Sequence, residues 1–390
     1  MTLDFQLVRR KVKELGERAS LHEQELQRLR EKACSLFESN AERQEELRQK
    51  VQNVVRNHDP SLRCALPVEE ALNTRRPEPP APEEVTLLAV DGSQINPDRH
   101  AQIQYCLINW GSVCMQPGQP VPPVTAVDCQ LYYEDNLYTK SEAELALERD
   151  LGERTRLARL AAGAPGAVIT LTDGPLELWG AKDARGGEDE NFTESLNRYL
   201  EILTDLCALG AVTAGYVDKP GADLVVRLLE VAMTPDTELS QIRELRPLRG
   251  VSDAFLFRTL LEPGERSAVF AMQSQSAKRY TGERALHFFY LNVGRAGHPW
   301  IARVEVPRWV VENGAMLDGL HAVLVRQCRI LGARPYPYLL HRAHETAVVT
   351  LQEKEQVTQM IVMELRRRGV EVGEASNKQA AKDQPGRTRL

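Results

Sequence analysis

Two short apolar runs, each closed by the same dipeptide, constrain this chain more than any other feature. Residues 85–90 (VTLLAV) run into Asp91-Gly92-Ser93, and residues 167–172 (AVITLT) run into Asp173-Gly174. Runs of this length, rich in β-branched residues and lacking polar alternation, suit strands buried on both faces. They place the strands inside a sheet covered by helices. If the two strands are neighbours, both carboxylates leave the sheet at one edge. Two hard oxygen ligands on a rigid edge suit a divalent cation held against a phosphate. Asp-Gly is also a good turn dipeptide, since glycine lets the chain bend sharply away, so a turn is expected after each strand.

The surrounding pattern fills out a mixed α/β sheet. Residues 102–110 and 124–133 are β-rich and, with 85–90, suggest an antiparallel meander. Residues 141–162 read as a helix, with Ser141 as N-cap and Glu144 at the capping-box position. Helices are expected near 192–209, 222–232, 309–331 and 344–368, and strands at 211–217, 268–272, 287–293 and 301–306. Ahead of this, residues 1–57 carry one apolar stripe at helical spacing. The implied division is a helical arm or hairpin (1–66), a Pro-rich linker (67–84), a globular domain (85–370) and a polar tail (371–390) expected to be disordered. Residues 180–191 (GAKDARGGEDEN) form an acidic, glycine-rich insertion without an assignable role.

Charge and cysteine usage narrow the function classes. The formal net charge is −6, so nucleic-acid binding would require a local basic surface or a metal-neutralised acidic site. The seven cysteines are scattered and include no C-x-x-C pair, which fits a reducing cytoplasm better than a disulfide framework or a zinc knuckle. The first residues lack the apolar core of a signal peptide, and no run of 18 apolar residues suggests a membrane span.

Other side chains capable of chemistry lie around the two aspartates. The helix between them offers Glu144, Glu148 and Glu153. Glu153 shares a line with Leu157 and Leu160, an apolar face on which a carboxylate is costly unless paired or metal-bound. Arg149, four residues earlier, is the alternative, purely structural partner. Glu148 lies beside Glu144 on what reads as a solvated face. Farther on, Tyr336 sits in a Pro-rich turn, and His341 and His344 follow near a helix start. Histidine serves as a ligand or as an acid/base near neutral pH. Lys219, after the 211–217 strand, and Arg303, in the 301–306 strand, are cations suited to phosphate.

Taken in order, these pieces resemble the NurA family of DNA end-processing nucleases. The matching segments are Leu-Leu-Ala-Val-Asp91-Gly-Ser, Glu153 twenty residues before Asp173-Gly-Pro-Leu, and Gly215-Tyr-Val-Asp-Lys219. They continue with Leu261-Glu-Pro-Gly-Glu-Arg-Ser267, Arg303-Val-Glu-Val-Pro307, and Tyr336 with His344 eight residues later, covering about residues 85–365. The resemblance implies an RNase H-like mixed sheet flanked by helices, preceded here by an N-terminal helical extension. It implies a Mn²⁺ centre, with Mg²⁺ as the alternative, on the acids matching Asp91, Glu153 and Asp173, with Tyr336 and His344 completing the site. It also implies a homodimer that works with a HerA-type hexameric ATPase in resecting DNA double-strand breaks, as a 5′–3′ exonuclease and single-strand endonuclease.

In that reading Asp91 and Asp173 share the metal, and Glu153 completes the shell or orients water. His344 binds the metal or protonates the leaving 3′ oxygen, and Tyr336 positions the phosphate beside Lys219 and Arg303. Spacing alone leaves Glu148 in contention with Glu153. The competing reading is a non-catalytic dimeric adaptor for a DNA-translocating ATPase; a weaker one is a phosphoesterase acting on RNA or small nucleotides.

Overall fold

A computed structural model of the chain describes residues 3–98, 103–133, 141–180, 190–370 and 372. In chain order the helices are α1 (Phe5–Ser39), α2 (Gln44–Asn57), α3 (Glu142–Gly163), α4 (Glu190–Ala208), α5 (Leu224–Met233), α6 (Asp253–Leu260), α7 (Arg308–Val311), α8 (Gly314–Ile330), α9 (Tyr338–Ala347) and α10 (Leu351–Arg367). The strands are β1 (Cys64–Pro67), β2 (Arg75–Arg76), β3 (Val85–Ile95), β4 (Tyr105–Met115), β5 (Val124–Tyr133), β6 (Ala167–Asp173), β7 (Val212–Val217), β8 (Arg266–Ser267), β9 (Phe270–Gln273), β10 (Leu286–Asn292) and β11 (Ile301–Pro307). The tail beyond 370 and the 180–191 insertion fall almost wholly outside the described residues.

The chain forms two compact units, neither continuous in sequence. One comprises 1–81, 174–177 and 215–336; the other comprises 82–173, 178–214 and 337–390. Strand β7 divides between them after Ala214.

The second unit carries the apolar runs that dominate the sequence. Strand β3 pairs antiparallel with β4, which pairs antiparallel with β5, giving the expected meander. On its other side β3 pairs parallel with β6, from Val85↔Ala167 to Ala89↔Leu171. The two Asp-Gly strands are therefore direct neighbours, in the mixed arrangement expected of an RNase H-like sheet. The turn expected after Val90 is absent. Strand β3 runs on through Asp91, Gly92 and Ser93 to Ile95, each paired with a residue of β4. At Gly174 the turn is real, with φ of +89°. Helix α3 begins at the expected capping box: Ser141 Oγ accepts from the Glu144 amide, and the Glu144 carboxylate accepts from the Ser141 amide. The helix expected over 344–368 is two helices. Val348 ends α9, and Thr350 restarts the chain as the N-cap of α10 with Glu353 closing its own capping box. Helix α10 lays Val357, Ile361, Val362 and Leu365 against Ile95, Tyr105 and Leu107.

In the first unit β9, β10 and β11 pair antiparallel in that order, β1 pairs with β9, and residues 215–217 of β7 pair with β11. Every residue of β10 and β11 is buried. Phe257 stacks on Tyr290 at 4.5 Å between ring centroids, and Phe37 of α1 meets Phe257 edge-on at 5.7 Å. The N-terminal helices thus share a core with residues 215–336, while the leading turns of α1 leave Phe5, Val8, Val12 and Leu15 exposed. Helix α5 is almost wholly buried, and its first turn is tied down by Asp253, whose carboxylate accepts from the amides of Val225 and Val226 at 2.9 and 2.8 Å.

Candidate functional site

The Asp91-Gly92-Ser93 segment performs three separate tasks, because successive strand residues open onto opposite faces. Gly92 faces α3. A Cβ there would lie 2.5 Å from Arg149 Cγ and 2.8 Å from Glu153 Oε1, so only glycine lets α3 come this close. Gly152 makes the reciprocal allowance: a Cβ on it would meet the Trp110 indole at 2.5 Å, and the Trp110 N–H donates to the Arg149 carbonyl at 3.0 Å. Trp110 is the cross-strand partner of Gly92. Helix α3 is thereby seated with Glu153 beside Gly92.

Asp91 opens onto the other face, where α9 lies. Its cross-strand partner is Gly111, whose missing side chain is replaced by the Thr346–Ala347 backbone; a Cβ there would lie 2.4 Å from the Ala347 amide. The next pair on this face, Ser93 and Asn109, clamps the end of the helix. Ser93 Oγ and Asn109 Nδ2 both donate to the Ala347 carbonyl, at 2.6 and 2.7 Å, satisfying a group that a helix C-terminus leaves orphaned. Three residues before Ala347, His344 then meets Asp91, with Nδ1 2.8 Å from Oδ2. An ionised carboxylate only accepts, so Nδ1 carries the proton of this bond, and Nε2 is the ring nitrogen it leaves unoccupied. His344 is 62% exposed and Asp91 17%. The other oxygen of Asp91 accepts from the Gly92 amide at 2.9 Å.

Asp91 and Asp173 each lie two residues beyond the last β3–β6 pair, Ala89↔Leu171, so the two residues stand at one level just past the end of that ladder, Asp91 still within β3 and Asp173 closing β6. Glu153 is 6% exposed. Burial pushes its carboxyl well above the usual carboxylate range; the Arg154 guanidinium opposes this, and Asp150 and Asp91 push it further. Arg149 Nε stands 3.6 Å from Glu153 Oε1, but its closer partner is Asp150 at 2.8 Å. Glu148 points elsewhere, accepting the hydroxyl of Tyr132 on β5. The two acids that spacing could not separate thus lie apart, Glu153 of α3 against Gly92 of β3 and Glu148 against Tyr132 of β5. Among the described residues, no three His, Cys, Asp or Glu side chains stand together in metal-holding geometry.

Tyr336, Lys219 and Arg303 belong to the first unit, and His341 to the second. Tyr336 packs edge-on against Tyr216 at 5.7 Å. Lys219 is exposed, its Nζ 4.4 Å over the Trp300 ring. Arg303 does not present a free cation. It is buried in β11 and paired with Glu305 at 2.8 Å, and the second oxygen of Glu305 accepts from the Leu176 amide. A strand arginine looks the same in sequence whether it meets phosphate or a neighbouring carboxylate. His341 pairs with Glu345 at 3.4 Å within α9. Sequence reasoning missed Gly111 and Gly152; the available signal was a glycine inside a strand or helix pattern, which marks close approach as often as a bend.

The NurA domain family model matches residues 85–349. The crystal structure of the NurA nuclease from Sulfolobus solfataricus is similar at a TM-score of 0.50 and 11% identity, covering 86% of this chain and 98% of that one. Human ENDOV aligns at a TM-score of 0.29 and 12% identity over 72% of this chain and 86% of its own. Drosophila Piwi aligns at 0.30 and 11% over 67% and 29%. Neither of these two bears on the fold at such scores. No curated protein sequence matches significantly. No helix among the described residues is long and apolar enough to cross a membrane.

Proposed function

The chain belongs to the NurA family, and from that premise we propose that it is a metal-dependent deoxyribonuclease whose centre is built on Asp91. One observation carries the reading: Asp91 and Asp173 stand at one level on the neighbouring strands β3 and β6, with His344 bonded to Asp91 and Glu153 seated beside Gly92. The donor set is oxygen-rich with one imidazole, which fits Mn²⁺ or Mg²⁺ rather than a thiophilic metal. Asp91 and Asp173 would hold the ion, Glu153 would complete its shell or orient the water, and His344, whose Nδ1 is taken by Asp91, would exchange a proton at Nε2 or turn its ring to bind the ion. When bound, such an ion lowers the pKa of attacking water and neutralises charge growing on the phosphoryl oxygens.

The protein's own groups supply the rest. Asp91 fixes the His344 ring through Nδ1, so Nε2 is the atom that exchanges a proton or takes a ligand. The Ser93–Asn109 clamp holds α9, and with it His344, at a set distance from β3. Tyr336 and the exposed Lys219 contact the substrate phosphates in this reading. We extend it to 5′–3′ exonuclease and single-strand endonuclease action in DNA end resection, as a cytoplasmic homodimer working with a HerA-type hexameric ATPase.

The test uses labelled single- and double-stranded DNA and RNA, each with Mn²⁺, Mg²⁺ or EDTA. Wild-type protein is expected to cleave DNA with Mn²⁺ and not with EDTA, and Asp91→Ala to lose that activity. An Asp91→Ala protein cutting at the wild-type rate sinks the assignment. Absence of metal-dependent cleavage of every substrate returns the adaptor reading.

A further inference from the structure

If the nuclease reading above holds, as this inference assumes, a protein of net charge −6 that handles nucleic acid needs a local reversal of sign, and the first unit contains one. The loop joining β10 to β11, the end of α8 and helix α6 enclose a cavity of about 740 Å³. That volume is typical of ligand clefts, which run to roughly 300–1,000 Å³. Arg258, Arg295, Arg329 and His298 line it, with no Asp or Glu among the lining residues. Glu78 neutralises Arg329 through two contacts, at 2.9 and 2.6 Å. Arg258 and Arg295 are exposed, and among the described residues neither has an acidic partner.

The wall that carries Arg295 is built rather than loose. A Cβ on Gly294 would lie 2.3 Å from the His298 carbonyl and 2.5 Å from the Trp300 amide, so the loop closes this tightly only around glycine. Asn292 Oδ1 accepts from the amides of Gly294 and Trp300, at 3.0 and 3.1 Å, and its Nδ2 donates to the Leu261 carbonyl at 2.8 Å. The Trp300 indole donates to Asp218 at 2.7 Å, with the Lys219 ammonium over its ring. Among the described residues Lys219 is the one non-glycine with positive φ, 46°. A residue held in a conformation that L side chains rarely adopt thus places a further cation over Trp300, itself a lining residue of the cavity.

We propose that this cavity binds the phosphodiester backbone of single-stranded nucleic acid. Arg258 and Arg295 meet phosphate oxygens, the half-buried Trp300 offers an aromatic surface to a base, and Gly294, Gly297 and Gly332 let the strand approach the backbone. Guanidinium forks match phosphate oxygens, and cations combined with an aromatic platform give the sequence-tolerant grip of single-strand binders.

The experiment is fluorescence anisotropy of a fluorescein-labelled oligo(dT) in EDTA, where no cleavage occurs. A failure of the nuclease reading and a failure of this site are then read separately. Arg258→Ala/Arg295→Ala is expected to bind about tenfold more weakly or worse, with an unchanged melting temperature because both side chains are exposed. Its salt slope should fall by about 1.4, from two lost contacts at roughly 0.7 each on single strands. The double lysine variant keeps the slope. The proposal is overturned by an alanine variant with wild-type affinity and slope, or by a lysine variant that loses as much as the alanine one. It is also overturned if dTMP binds more tightly than the oligonucleotide, which would make the cavity a mononucleotide site.

Discussion

Gly111→Ala isolates the device that delivers His344 to Asp91. The added Cβ would sit 2.4 Å from the Ala347 amide and 2.6 Å from the Thr346 carbonyl carbon, and both obstacles are backbone, not the yielding end of a side chain. Reaching ordinary contact at about 3.4 Å requires α9 to lift by about 1 Å. The same lift stretches the His344–Asp91 contact from 2.8 Å toward about 3.8 Å, beyond hydrogen-bond range. It also loosens both clamp bonds onto the Ala347 carbonyl, each contributing about 1 kcal/mol. With overpacking itself costing about 1–3 kcal/mol, the expected destabilisation is roughly 2–4 kcal/mol. A 1 Å misplacement of a catalytic group costs on the order of 10²-fold in rate. Thermal melting reads the first effect and initial rates of Mn²⁺-dependent DNA cleavage the second. Imidazole ¹⁵N shifts report whether His344 keeps its proton on Nδ1. Gly163→Ala is the control, since nothing lies within 4 Å of a Cβ there; it should be neutral or slightly stabilising, as alanine outranks glycine in a helix. A Gly111→Ala protein with wild-type melting and wild-type rate refutes the reasoning.

Glu153→Gln should lower the cleavage rate by about 10–100-fold while Glu148→Gln stays within a few-fold, since Glu148 is spent on Tyr132; the reverse ranking would show that the wrong acid was chosen. Asp253→Ala should cost about 3 kcal/mol or more, because two amides of α5 and the Tyr290 hydroxyl lose their acceptor in a buried place; a chemical denaturation curve superimposable on wild type would exclude that. Burial raises the Asp253 carboxyl from 3.8 to about 6, against the pull of the Tyr290 hydroxyl and the helix amides. Between those values the folded form binds more protons than the unfolded one, so this group's contribution falls as pH rises from about 4 to about 6, by roughly 3 kcal/mol in all. Asp253→Asn should flatten that part of the stability–pH profile, and an unchanged profile would count against the assignment.

What the sequence made legible was whatever rests on local pattern. The two apolar runs, the capping box at Ser141 and the meander are each dictated by a few consecutive residues, and each is found where expected. The partition into units is not local. Residues 174–177 and 215–336 join the N-terminal helices through contacts such as Phe37 with Phe257, far apart in sequence and carrying no compositional mark. Glu148 likewise meets Tyr132 on a separate element, β5, whereas Arg303 pairs with Glu305 two residues on along its own strand, a local contact that a lone cation in a strand does not announce.

The Asp-Gly pairs show how far a dipeptide can be trusted. Both were expected to turn, on the ground that glycine permits it. Gly174 does so with a positive φ; Gly92 stays extended, because an unbroken ladder to β4 holds it there. What separates them is the continuation: Ser93-Gln94-Ile95 carries a strand onward, whereas Pro175 has no amide to give a ladder. At Gly92 and Gly111 the absent side chain is room for a helix, on one face α3 and on the other α9. A glycine on each of two paired strands, one residue out of register and flanking an aspartate, is therefore the pattern that brings a helix-borne glutamate and a helix-borne histidine to the strand bearing that aspartate. The pattern also makes Gly92→Ala perturb Glu153 first and Gly111→Ala perturb His344 first, so the two glycines report on the two halves of the centre independently.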